Sequence, residues 1–182
     1  MYIKEKTIAL INSNTMIQFF TLAGTATILP FFIHSQWVTG PIINAIFILA
    51  LILLGLRSAL LICVLPSLIA LSSGLLPIIL APIVPFIVIG NAVLVLTIYY
   101  VTKVVKNKSE AVTIKQYYTG VILGSFLKFV FLFTSVYFVS QLFLKQELAQ
   151  KVIQMMSWPQ LYTALLGGGI ALVILLLMKK IK

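Results

Sequence analysis

The stretch PIINAIFILALILLGLRSALLICVLP, residues 41–66, carries a single charge, Arg57, in otherwise continuous hydrocarbon. Outward from it the pattern holds. No Lys, Arg, Asp or Glu occurs from Thr7 to Leu56, and none from Ser58 to Thr102. Each run far exceeds the ~20 apolar residues that cross a bilayer once. With 62% hydrophobic and 9% charged residues, a soluble 182-residue domain would have too little polar surface to cover itself. The fold class is therefore all-α, a polytopic membrane protein.

Breakers and charges divide the chain into six spans. The first helix covers about 7–29 and ends at Pro30, a loop occupies 30–41, and the second helix runs over about 42–55. Gly55-Leu56-Arg57-Ser58 reads as a tight turn, since it joins a helix-weakening glycine to the one charge in the tract. The third helix follows over about 58–73, and Gly74, Pro77, Pro82 and Pro85 mark an irregular connection. The fourth helix spans about 83–102, a polar hairpin 103–115, the fifth helix about 116–142 and the sixth about 158–178. No soluble domain fits between them, so residues 1–182 are read as one six-helix transmembrane domain. The basic segment Met1 to Lys6 resembles the start of a signal peptide, but the apolar run after it is too long and too rich in Asn and Gln, so it is read as a retained first helix.

Charge sets the orientation. Thirteen Lys and Arg stand against three Glu and no Asp, a balance that in a membrane chain reports topology and contact with anionic lipid, not nucleic acid. With both termini in the cytoplasm, that side collects Lys4, Lys6, Arg57, Lys103, Lys106, Lys108, Lys115, Lys179, Lys180 and Lys182, ten of the thirteen. Lys145 and Lys151 fall outside and Lys128 stays within the fifth helix. Arg57, at a cytoplasmic turn, reads as a topology anchor or partner contact. The single Cys63, inside an apolar run, is read as a small buried hydrophobe.

The polar residues that remain are the candidate site. The outer loop 30–41 concentrates His34, Gln36, Trp37 and Thr39, a mix of hydrogen-bonding and stacking groups suited to a small-molecule pocket or, alternatively, an interfacial loop with a belt tryptophan. Asn91 sits near the middle of the fourth helix, and the sixth opens on Trp158-Pro159-Gln160 at its outer end. On the first helix, Asn14, Gln18, Thr21 and Thr25 recur at helical spacing, a stripe expected to face the bundle. On the fifth, Tyr117, Gly120, Gly124, Lys128 and Ser135 share a face with Phe131, which turns Lys128 inward beside small residues. A mid-membrane cation costs roughly 2.5–3.5 kcal/mol on insertion scales. Lys128 has no membrane-embedded carboxylate to pair with, so it reads as a counter-charge for a ligand or as a lysine held by carbonyls or water. An inward lysine without acids disfavours a cationic ligand and favours a neutral or anionic one.

Absences narrow the function. There is no Walker A sequence, no HExxH, no Cys cluster and no Asp, so nucleotide hydrolysis, zinc hydrolysis and carboxylate proton relays are unsupported. No cofactor, metal or enzymatic activity is expected.

Thr39-Gly40-Pro41 leading into the second helix, Leu53-Leu54-Gly55-Leu56-Arg57 as a tight turn, a Pro-rich connection, and Pro85-Phe86-Ile87-Val88-Ile89-Gly90-Asn91 opening the fourth helix together resemble the substrate-binding S components of energy-coupling factor (ECF) vitamin transporters. The detailed likeness covers about residues 20–100. The family's small-residue coupling motif on the first helix is represented only by Ala9 and Ser13. The resemblance implies six helices with both termini inside, in a multi-pass protein of a prokaryotic plasma membrane. It further implies capture of a vitamin or related micronutrient from outside, and delivery through a transmembrane coupling subunit and two cytosolic ATPases. The faces Gly120 with Gly124 and Ala164 with Gly168 suit helix contacts of that kind or internal packing. A non-transporting membrane scaffold or assembly subunit is the alternative.

Overall fold

The computed structural model describes residues 13–102 and 112–181. Within them lie seven α-helices: α1 Ser13–Phe32, α2 Gln36–Leu54, α3 Leu56–Ser72, α4 Val84–Thr102, α5 Ile114–Phe143, α6 Gln146–Met155 and α7 Trp158–Leu177. A 3-10 segment, Ile78–Ile83, leads into α4. Five helical stretches among the described residues are long and apolar enough to cross a membrane, and α3, at 17 residues, is the shorter apolar sixth. At 1.5 Å per residue α3 reaches about 26 Å, close to the hydrocarbon thickness. Lys4, Lys6, Ala9, the start of the first helix and most of the 103–115 hairpin lie outside the described residues.

Several boundaries move, each for a local reason. The expected loop 30–41 shrinks to residues 33–35, because both prolines are accommodated inside helices. Pro30 lies in the last turn of α1 and Pro41 in the second turn of α2, where each removes one ladder bond and no more. The Ser35 carbonyl accepts from the amides of Val38 and Thr39 and so starts α2 at Gln36, four residues downstream of Phe32. The turn at 55–58 contracts to Gly55 alone, whose φ of 89° lets one residue end α2 and begin α3. Thr113 and Gln116 close a capping box at the head of α5, which fixes its start at Ile114 rather than 116.

Helix α6 was not expected. Its polar side holds Glu147 and Lys151, while Ala149 is buried and Val152 joins Ile83, Leu132 and Val136 in a small cluster against α5 and the 3-10 segment. It is too short to span and packs at the outer end between α5 and α7.

The polar stripe of α1 is also placed differently from expectation. Asn14, Gln18, Thr21 and Thr25 are exposed, while Ala23 and Ala26 on the other side of the helix are buried. Close approach through small side chains decides which face packs. Thr25 can face outward cheaply because its hydroxyl donates to the Thr21 carbonyl at 2.8 Å.

The core centres on α2, whose residues Ala45 to Leu51 are all buried. Glycine sets the spacing around it. A Cβ on Gly167 of α7 would sit 2.7 Å from the Pro41 carbonyl oxygen and 2.9 Å from the Ala45 amide, both backbone atoms that cannot step aside. Gly120 and Gly124 play the same part between α5 and α4, facing Ile98 and Leu94, while Gly168 faces Val121 and Ala164 is fully buried. These small-residue faces are therefore internal to the bundle. Gly169, one residue on, has open space. Gly167→Ala should lower thermal stability in detergent by about 1–3 kcal/mol, whereas Gly169→Ala should be neutral or raise it slightly through helix propensity. Equal melting temperatures for the two variants would contradict the close α2–α7 approach.

Candidate functional site

The small-residue stripe of α5 ends on its one membrane-embedded charge. Gly120 and Gly124 bring α5 against α4, and one turn further Lys128 continues the same stripe, 2% exposed. Tyr117 begins it, donating its hydroxyl to the Gly168 carbonyl at 2.6 Å and tying α5 to α7. Phe131 and Ser135 lie half-buried at its edge.

Lys128 Nζ donates to Asn44 Oδ1 of α2 at 2.7 Å and to Asn91 Oδ1 of α4 at 2.8 Å. Three helices thus meet on one ammonium. An ammonium is donor only, so both amides must turn their oxygens toward it. Asn44 is held in that sense from behind, because its Nδ2 donates to the Gly40 carbonyl at 2.9 Å. Two of the three ammonium protons are used, and the Asn91 NH2 has no partner among the described residues. Charge-assisted bonds at these distances are the strong kind, and they offset part of the cost of holding a cation inside the membrane.

Lys128, Asn44 and Asn91 form the floor of a cavity of about 200 Å³. Its wall takes Pro30 from α1, Gln36, Thr39, Gly40, Ile43 and Phe47 from α2, and Pro66, Ser67 and Ala70 from α3. Leu76, Ile87 of α4, and Gln160 and Thr163 of α7 complete it. Gln36 opens α2, and Asn44 lies eight residues further, so the cavity descends about 12 Å from its mouth at the helix ends. Thr39 and Thr163 spend their hydroxyl protons on the Ser35 and Gln160 carbonyls, which leaves their oxygens as acceptors. Gln36 Nε2 donates to the Met155 carbonyl at 3.2 Å, linking the head of α2 to the end of α6 at the rim.

Of the residues singled out from sequence, Gln36, Thr39, Asn91, Lys128 and Gln160 line this one cavity. His34, Trp37 and Trp158 do not. His34 is exposed in the α1–α2 connection. Trp37, 58% exposed, packs edge-on against Tyr162 at 5.6 Å, and Trp158, 70% exposed, stacks on Phe129 at 5.4 Å. Both have the setting of an interfacial aromatic belt. Sequence reasoning passed over Asn44, Ser67 and Thr163. Asn44 stands only two residues into a second helix read from about 42, and its depth emerges once α2 is seen to begin at Gln36. No group of three or more His, Cys, Asp or Glu among the described residues could hold a metal ion.

The ammonium and its acceptors stand or fall together. Asn44→Leu should cost about 1–3 kcal/mol by leaving a buried cation short of an acceptor. Adding Lys128→Met should recover most of that loss, since removing both partners also removes the unmet demand. Thermal unfolding of the two single variants and the double variant in detergent checks this; additive losses would contradict the coupling.

A family model described as ECF transporter, substrate-specific component matches residues 14–178. No curated protein and no solved structure matches the chain.

Proposed function

Because this chain belongs to the family of ECF-transporter substrate-specific components, we propose that the cavity floored by Lys128 captures a small neutral or anionic vitamin-like molecule from outside the cell. In this reading the whole chain acts as one transmembrane domain in a prokaryotic plasma membrane, with both termini in the cytoplasm. The observation that carries it is the cavity itself, a largely apolar pocket with a polar floor, opening at the end of the bundle away from Arg57, Lys115, Lys179 and Lys180. The positive-inside rule assigns that opposite end to the cytoplasm. Gln36, Thr39, Asn91, Lys128 and Gln160, with Asn44 and Thr163, are the proposed substrate contacts. His34, Trp37 and Trp158 then serve the rim and the membrane interface.

Nothing in the sequence binds nucleotide, so the energy for release comes from partners: a transmembrane coupling subunit and cytosolic ATPases. We assign their contact to the outward face of α1. Gln18 presents an amide there, a group that is costly against lipid and useful against another helix. Gly24, on the same helix, has open space beside it, which permits close helix approach.

Two outcomes are expected. Proteoliposomes holding this chain alone should bind substrate without ATP and fail to concentrate it, whereas the reconstituted complex with ATP should accumulate it. Uphill uptake by the chain alone on an ion gradient would replace this reading with a secondary transporter. Gly24→Trp should leave folding and substrate binding intact, because the space is empty, while abolishing uptake by the complex. Undiminished uptake by that variant would remove α1 as the docking face.

A further inference from the structure

The cavity floor has a donor arrangement that narrows the ligand to one chemical class. We infer that the captured molecule is a small monocarboxylate, bound carboxylate inward on Lys128 and Asn91; the inference rests on the capture role proposed above. Lys128 Nζ has one proton uncommitted, and the amide whose oxygen it contacts at 2.8 Å carries its NH2 on the adjacent corner, unpartnered among the described residues. The two free donors therefore stand side by side, separated by a single carbonyl oxygen. A carboxylate brings two acceptor oxygens and a full negative charge, and it can take one bond from each donor. A single carbonyl or hydroxyl oxygen could accept from both donors, but it brings no charge to set against the ammonium.

Charge points the same way. Lys128 is the only charged residue among those lining the cavity, and no acid is present to neutralise it. A buried cation without a counter-ion is costly, and a ligand with one negative charge restores balance in the loaded state. A second negative charge would find no cation in the wall, which disfavours phosphate esters and dicarboxylates. A cationic ligand would repel Lys128. About 12 Å above, the mouth offers the amide oxygen of Gln36, with that of Gln160 at the head of α7, and the Ser67 hydroxyl lies part-way down. Between the ends Ile43 and Ile87 supply apolar wall, and Thr39 and Thr163 add two acceptor oxygens. The ligand that fits has an anionic end, a hydrocarbon or ring body, and a neutral hydrogen-bonding end.

The test uses the full-length protein in mild detergent and matched probes, with affinities read by calorimetry or thermal shift. The pairs are nicotinate with nicotinamide, pantothenate with pantothenol, and biotin with its carboxamide; pyridoxal phosphate stands for phosphate esters and thiamine for cations. At least one carboxylate should bind, and its neutral counterpart should bind about ten- to a hundredfold more weakly. Lys128→Met should collapse that preference. Asn91→Asp supplies a second readout should the first variant fold poorly: a fixed carboxylate beside Lys128 should turn the site against carboxylates and toward their neutral counterparts. Equal or tighter binding of the neutral partner, binding of phosphate ester or cation in preference, or no binding by any carboxylate overturns the inference. If neutral or phosphorylated probes bind while carboxylates do not, the monocarboxylate assignment fails and the capture role stands. If no probe binds and the reconstituted complex also takes up none of them, both fail.

Discussion

One ammonium, held 2.7 and 2.8 Å from two amide oxygens inside an apolar bundle, organises this protein. Lys128 could not sit at that depth without acceptors, and its acceptors come from two other helices, so α2, α4 and α5 must converge there. Convergence at that distance requires small residues on the approaching faces. Gly120 and Gly124 supply them toward α4, and Gly167 of α7 supplies them behind Asn44, whose Cβ would lie 2.7 Å from any Cβ at position 167. The glycines that look like simple packing devices are therefore conditions for the polar site.

The same constraint explains why the cavity lies where it does. Above the Lys128 level the cavity lies between α1, α2, α3, α4 and α7, beside the packed cluster of Ile83, Leu132, Val136 and Val152. Below it, Leu94, Val95 and Ile98 of α4 and Leu51 of α2 are fully buried. The polar floor thus marks the boundary between the cavity and the closed half of the bundle beneath it. A binding protein of the proposed kind, loaded from one side, needs such an asymmetry, since a pore through the closed half would let its substrate leak.

Much of this could be read from the chain, because charge-free runs in a bilayer protein report directly on burial in lipid. The six spans, the Gly55 turn, the inward face of α5 and five lining residues followed from periodicity, breakers and the cost of a mid-membrane charge. The remainder depended on contacts that have no local signature. Asn44 in isolation is one amide in a hydrophobic helix, and only the pairing with Lys128 gives it a role. The prolines at 30 and 41 read as loop boundaries, yet each loses only one hydrogen bond where it stands. Helix α6 hid in a polar linker because it buries little beyond Ala149 and Val152. The α1 stripe turned outward because Ala23 and Ala26 pack more closely than amides do, which leaves Gln18 exposed.

The central claim is that Lys128 is both the structural hub and the floor of the binding cavity, and the position of a bound substrate tests it most directly. A structure of the full-length chain with the molecule it carries, by crystallography or electron cryomicroscopy, should show ligand density within hydrogen-bond distance of Lys128 Nζ and Asn91 Nδ2, with both asparagine oxygens still on the ammonium. Substrate seated elsewhere, with Lys128 bonded only to Asn44 and Asn91 and no ligand atom in reach, would contradict the account.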